Sequence, residues 1–534
     1  MDKPKRWILV AVVFGSAIVF LDSTVVNVAL PKIAIDLPSR FFGKLEGPTF
    51  VYGGYLLTLS ALLILAGALS DFFGRRKMFL IGLTGFGATS LLCGLAPNME
   101  LLIAFRLLQG AAGAFLVPGS LAIITAGFKG EEQGRAFGIW AGGSAAATIL
   151  GPFVGGLLVE TISWRTAFLI NIPLVIIAYY ATAKYVEESR DEEASGKFDW
   201  SGAVVVAVAI GGLAFGAIRG QQSQWHDVGA FVALGLGLAA TVLFPFLMAR
   251  SANPLVPLEL FKSRNFTVTN ISTLVIYGAL YGSFYYLPAF TEGTLGYNAT
   301  AAGLSSLPSG IFLVVLSSRF GKLSARYGPR WFMAAGPAIM AAGLLWFARI
   351  PSTSTIWIID IVKPSTLVPP GAYLVDILPG LIIFGIGLAI MVAPLTTALM
   401  TSVAPQKSGV ASAINNAISR VGPQLAGALI FVAITASFYG GLAKHDLGVN
   451  TSSTKFRIAV APLIKPPSGL GPDLKIAVRE SSTRSFHLSM TIAAGLLLIG
   501  AAVNAVGIRN SDAMPPTETA GPNDDEPAAA AAAA

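Results

Sequence analysis

Gly67-Ala-Leu-Ser-Asp-Phe-Phe-Gly-Arg-Arg76 and Gly321-Lys-Leu-Ser-Ala-Arg-Tyr-Gly-Pro-Arg330 are two copies of one turn, 254 residues apart. Glycine, leucine, serine, glycine and arginine recur in register, and Phe73 is answered by Tyr327. Each copy falls between two long apolar segments. The chain therefore reads as a duplicated helical bundle in a bilayer, and duplication about a central cavity is how many transporters alternate access.

Composition agrees. Of 534 residues 54% are hydrophobic and 12% charged, with a mean hydropathy of +0.70. A soluble domain has no need of that much apolar surface, whereas a bilayer core of roughly 30 Å needs spans of about 20 apolar residues. Fourteen spans are expected, at 7–30, 50–70, 78–96, 100–127, 136–158, 166–186, 200–219, 228–249, 266–290, 301–318, 332–349, 375–399, 409–437 and 485–508. The first follows Lys3, Lys5 and Arg6 but is too long for a signal-peptide core and lacks a small-residue cleavage site, so it reads as retained.

Cys93 is the only cysteine, which excludes an internal disulfide, and His226, His445 and His487 are scattered without metal-ligand spacing. No metal or cofactor is expected. The net charge of +8 does not point to nucleic acid, because the basic residues sit in short loops, where they set orientation. With the N-terminus inside, Arg75, Arg76, Lys77, Lys129, Arg135, Lys184, Arg250, Arg319 and Arg330 all become cytoplasmic, and so do both termini. The long loop 438–484 carries seven basic residues on the outside, and long segments translocate largely regardless of charge.

Glu187–Lys197 (EESRDEEASGK) is a charged linker closing the first half. The second Gly-Arg turn follows span ten as the first follows span two, so the layout is six, two, six. The expected units are a six-helix bundle over 1–186, a linker with two extra helices over 187–265, a second six-helix bundle over 266–508, and a disordered cytoplasmic tail over 509–534.

Ionisable residues at depth are costly and mark function by default. At about 1.5 Å per residue, Asp22 lies roughly 22 Å from the inner end of span one and Arg106 roughly 9 Å below the outer face, depths that coincide in a membrane about 30 Å thick. Two readings fit: a static pair holding two helices, or a carboxylate that couples proton movement to conformation. Gln109 lies one turn from Arg106 on the same face. Gly110 and Gly113 read as sites of close helix approach. Arg420 is the second deep charge, about 16 Å into span thirteen, after Asn415 and Asn416. With Asn27 and Gln109, and with Tyr277 and Tyr281 on span nine, Asn415 and Arg420 are candidate cavity residues, against the plainer reading of an aromatic stripe as core. Gly151 and Gly155 form a flat face beside Gly156, and Pro152 favours a kink. Asp71 is placed to cap a helix N-terminus of the other half near Ser408 to Val410, and the second copy has Ala325 instead. Arg75 and Arg76 also fit simple anchoring on the inner side.

The stretch Gly67-x-x-x-Asp71-x-x-Gly74-Arg75-Arg76-Lys77 resembles the signature between the second and third helices of the major facilitator superfamily. Four further stretches resemble its fourteen-span drug:proton antiporter branch, the EmrB/QacA type: Leu21–Pro31 (LDSTVVNVALP), Arg106–Gly110 (RLLQG), Gly151–Gly156 (GPFVGG) and Trp164–Pro173 (WRTAFLINIP). The resemblance covers nearly the whole chain and implies an all-α fold of two six-helix bundles plus two linker helices. It implies an antiport role for Gly151–Gly156, and a switch role for Gly67, Asp71, Gly74, Arg75 and Arg76. The enlarged loops 350–374 and 438–484 depart from the pattern.

The expected function is proton-driven efflux of lipophilic or amphiphilic drugs across the bacterial cytoplasmic membrane, with Asp22 and Arg106 as the coupling pair. Uptake, or export of one metabolite or lipid, is the alternative, since no residue encodes direction. A multispanning enzyme would need a catalytic constellation that the sequence lacks. A transport-derived receptor would have no use for Asp22 and Arg106. Expected partners are small lipophilic substrates, membrane lipids and, on the outer loops, a periplasmic adaptor protein.

Overall fold

The computed structural model describes residues 2–40, 46–190, 198–222, 227–251, 253–360, 363–404, 407–445, 450–451, 453, 456–457, 460–467 and 469–510. The tail expected to be disordered lies outside them beyond residue 510, as does most of the charged linker. Backbone amides in hydrocarbon must be satisfied within the chain, and helices do so locally. The long helices are α1 (Lys3–Asp36), α2 (Glu46–Phe73), α3 (Arg75–Gly94), α4a (Met99–Gly113) with α4b (Leu116–Gly127), α5 (Gly130–Thr161), α6 (Asn171–Tyr185), α7 (Trp200–Gln222), α8 (Val228–Arg250), α9 (Arg264–Ala289), α10 (Ala299–Tyr327), α11 (Arg330–Phe347), α12 (Leu378–Thr401), α13 (Ser408–Leu442) and α14 (Pro472–Gly507).

The structure refines three expectations. Thirteen of the fourteen expected spans are apolar enough to cross a membrane on composition among the described residues. The other, α9, is long enough, but it buries Asn265, Thr269, Asn270, Ser272, Thr273 and Ser283 and so reads as more polar. Span four breaks at Ala114–Phe115, because Pro118 has no N–H for the Ala114 carbonyl. Finally, α13 runs to Leu442 and α14 starts at Pro472, so both invade the segment read as loop 438–484. At about 1.5 Å per residue α14 is roughly 54 Å long, well beyond a hydrocarbon core, and its surplus stands clear on the side away from the Gly-Arg turns. There Phe438, Tyr439, Leu442, Val460, Ala477 and Val478 bury one another.

Packing repeats the duplication. In the first half α1 packs on α5 and α6, α2 on α4a, and α3 on α4a and α6; in the second α9 packs on α13 and α14, α10 on α12, and α11 on α12 and α14. The halves meet through two equivalent pairs, α2 with α13 and α5 with α10. Of the extra helices, α7 lies against α2 and α13, and α8 closes on α7 where Gly212 meets Gly237.

Both turns need their second glycine, Gly74 with φ 111° and Gly328 with φ 84°. Behind each, the chain that leaves the half's last helix folds back as a cap. Glu188 accepts hydrogen bonds from the backbone N–H groups of Arg76 (3.0 Å) and Lys77 (3.1 Å) at the start of α3. Asn510 accepts from the N–H of Arg330 at the start of α11 (3.2 Å). A carboxylate at a helix N-terminus also meets the positive end of its dipole. The strained φ makes Gly74→Ala cost about 1–3 kcal/mol, and its Cβ would also press on the Glu188 carboxylate. Thermal unfolding in detergent should show a lowered midpoint for Gly74→Ala and an unchanged one for Gly156→Ala, whose Cβ meets open space; equal midpoints would contradict the strain.

Candidate functional site

Five side chains from four helices form one buried polar network, every member 0% exposed: Asp22 of α1, Ser90 of α3, Arg106 and Gln109 of α4a, and Asn171 of α6. Arg106 donates from Nη1 to Asp22 Oδ2 at 2.5 Å and to Gln109 Oε1 at 2.8 Å, and from Nε to the Val51 carbonyl at 3.1 Å. Gln109 Nε2 and Asn171 Nδ2 both donate to Asp22 Oδ1, at 3.1 and 3.0 Å, and both donate to Ser90 Oγ, at 2.8 and 2.9 Å. All three partners of Asp22 are donors, a set that suits an acceptor-only carboxylate. The Tyr55 ring covers the guanidinium, 4.1 Å from its centroid.

Local sequence explains the meeting. Arg106 and Gln109 share a face one turn apart, and Gly110 lets α4a close on α2, since a Cβ there would strike the Tyr55 carbonyl. That approach brings Val51 and Tyr55 to the guanidinium. Arg106 does not grip Asp22 as a two-toothed fork: one nitrogen serves both Asp22 and Gln109, and Nη2 is buried without a hydrogen-bond partner among the described residues. Breaking a buried pair by removing one partner strands the other charge and costs about 3–5 kcal/mol.

At the turn side, Gly67 of α2 lies against Ala413 of α13, and the Asp71 carboxylate lies against Gly409, the second residue of α13. Asp71 also accepts from Arg75 Nε at 2.9 Å, and both side chains are buried. Arg76 is more than an anchor, because its Nη2 donates to the Ala183 carbonyl at the end of α6 (2.5 Å). In α5, Gly151 and Gly155 face α1, where a Cβ on Gly155 would come within 3.0 Å of Val25 Cα. Pro152 sits within α5, which continues past it to Thr161.

The cavity residues divide. Gln109 is sealed in the network above and opens to no cavity. Asn415 is buried and donates to Asn270 Oδ1 and Thr273 Oγ1 of α9 at 3.1 and 3.0 Å, so it ties two helices together instead of facing a substrate. Tyr277 is half-buried against the second-half core, and the Tyr281 side chain lies outside the described residues. Asn27 is exposed, and Arg420 is half-buried. Ser90, Asn171, Glu188 and Asn510 were not among the candidates from sequence. Asn171 stood inside the quoted stretch Trp164–Pro173, a usable signal; Ser90 had none.

The sequence matches the model of the Major Facilitator Superfamily over residues 12–427. The chain belongs to that superfamily. Membership makes this major facilitator protein an integral membrane protein of a transporter family rather than an enzyme. It is similar to the multidrug resistance protein Stp of Mycobacterium tuberculosis, 32% identical over 446 residues that span 83% of this chain and 79% of the relative. The tetracenomycin C resistance and export protein of Streptomyces glaucescens is 28% identical over 508 residues, 93% of this chain and 90% of the relative. The human organic anion transporter MFSD10 superposes with a TM-score of 0.58 at 13% identity, covering 94% of this chain and 100% of that one, which shows a shared fold and no more.

Arg106→Lys in this major facilitator protein should keep the charge but lose the spread of donors that reaches Asp22, Gln109 and the Val51 carbonyl together. Transport should fall about tenfold or more while the protein still inserts and purifies. Wild-type rates for the lysine variant would reduce Arg106 to a point charge.

Proposed function

We propose that the protein exports lipophilic or amphiphilic compounds from the cytoplasm in exchange for protons, across the bacterial cytoplasmic membrane, with both termini inside. The observation that carries the reading is Asp22, a carboxylate deep in the first half, held by three donors and a single cationic partner. Supporting it, the similar proteins are named for multidrug resistance and for tetracenomycin C resistance and export. The proton gradient is the energy source and no cofactor is needed.

In this mechanism the ionised Asp22 neutralises Arg106. A proton arriving from outside cancels the carboxylate charge, leaves Arg106 without its counter-ion, and loosens α1 from α4a. The bundles 1–186 and 266–508 then rock about the gap between them, with 187–265 as the linker. The contact of Asp71 with the start of α13 opens on the cytoplasmic side, and the proton leaves inward. A closed turn side corresponds in this scheme to the outward-facing state. Gly151–Gly156 is the flat face on which α5 slides past α1. Lipids surround the bundle, and the protruding ends of α13 and α14 offer a periplasmic adaptor its footing.

Two variants separate the parts. Asp22→Asn should abolish pH-gradient-driven efflux of dyes and antibiotics from vesicles while substrate binding survives; accumulation against the gradient by this variant would falsify the proton role. Asp71→Ala should favour the inward-facing form by losing a cap of about 1 kcal/mol, enough to shift a balanced equilibrium several-fold. Crosslinking between α2 and α13 would then fall, and an unchanged yield would leave the turn as an orientation signal only.

A further inference from the structure

Arg420 is the deep charge that the proton mechanism leaves unused. It lies 12 residues into α13, about 18 Å along the helix at 1.5 Å per residue. On α13, Gly409, Ala413, Asn416 and Arg420 follow at helical spacing and share one stripe. Gly409 meets Asp71 and Ala413 meets Gly67, so this stripe faces the other half of the molecule. Two turns above that closed contact, the Arg420 guanidinium lies 5.7 Å from the ring centroid of Phe20 on α1. It is half-buried between the two halves.

No carboxylate answers it. Among the described residues Arg420 makes no ion pair, and the helices α9 to α13 contain no acidic residue at all. Among the described helices Asp22 is the carboxylate that stands near a helix middle, and Arg106 with its neighbours occupies both of its oxygens. Among the described residues Arg420 is thus a deep positive charge without an ion-pair partner, set beside an aromatic ring at the gap. A cation held at depth without a partner is costly, and a ligand anion would relieve that cost while the ring takes an apolar body.

We propose that Arg420 is the recognition site for an acidic group on the substrate, and that the protein selects anionic amphiphiles: an apolar body bearing a carboxylate or sulfonate. The inference rests on the efflux reading above and specifies its substrate class. The guanidinium presents several donors in a plane to such a group, and Phe20 lies against the apolar part. Phe20 stands two residues before Asp22 on α1, so the acid sits within one helical turn of the coupling pair along that helix.

The test uses full-length protein in phosphatidylcholine nanodiscs and two fluorescent probes, dansylaminoundecanoic acid and its neutral amide, with empty nanodiscs subtracted. Wild type should bind the acid at least about tenfold more tightly than the amide, as one charge-assisted contact of about 1.4 kcal/mol requires. Arg420→Gln should bind the two alike, and Arg420→Lys should keep part of the preference. Equal binding by wild type, which needs no variant to fold, overturns the proposal, as does a preference that survives Arg420→Gln. Added phosphatidylglycerol should leave the preference intact; if it abolishes it, the anion held at Arg420 is a lipid headgroup and the substrate assignment fails. In proteoliposomes, preferential binding of the acid without gradient-driven export would sink the efflux reading and leave the anion site standing. Export of the amide and the acid at equal rates would do the reverse.

Discussion

Hydrocarbon offers no hydrogen bond, so a polar group placed there unmatched costs several kcal/mol, and an isolated charge more. Many of the polar side chains this chain carries into its helices are paired under that constraint, and the pairings hold the helices in place. Asp22 and Arg106 hold α1 to α4a, Asn171 and Ser90 bring α6 and α3 to the same point, and Val51 brings α2. In the second half, Asn415 performs the equivalent task between α13 and α9 with neutral groups alone. The first half is thus organised around an ion pair, the second around amides and hydroxyls that carry no charge.

Legibility in the sequence followed the range of the interaction. Apolar runs and the duplicated turn are local signals, and they were enough for the bundle and its two halves. Asp22 and Arg106 were readable as partners because depth in a membrane is a coordinate that sequence position supplies. Rotation about a helix axis is not supplied in that way. Asn415 was therefore read as cavity-facing although it turns toward α9, and Gln109 although it is sealed beside Arg106. The caps were hidden for another reason: Glu188 reaches Arg76 across 112 residues and Asn510 reaches Arg330 across 180, and nothing near either residue announces the contact. The reach of α13 and α14 into 438–484 was missed because those extensions are polar enough to read as loop.

The two capped turns show how duplicated halves diverge. Geometry is kept: a glycine at positive φ, a helix starting behind it, and a residue from the chain past the half's last helix closing over the exposed amides. Charge is not kept. Glu188 is answered by Asn510, Asp71 by Ala325, and the acidic network around Asp22 by the neutral cluster around Asn415. A carboxylate interacts with a helix dipole and with nearby cations over several ångströms, whereas an amide acts only at contact distance. The first half therefore holds the carboxylates, the groups whose loss changes energies at a distance.

Rocking between two states requires an interface that closes firmly but not permanently. Within the first half Gly110 is seated against the backbone of Tyr55, which fixes α4a on α2. Between the halves α2 meets α13 through Gly67 on Ala413 and the Asp71 carboxylate on Gly409, and Leu63, Ile64 and Ala68 share one buried apolar cluster with Ala411, Ile414, Ala417 and Val421. The Asp71 carboxylate is the acidic member of that contact, and in the proposed rocking it is the group that has to leave the start of α13. In the proposed mechanism the molecule opens at this gap, where one half touches the other.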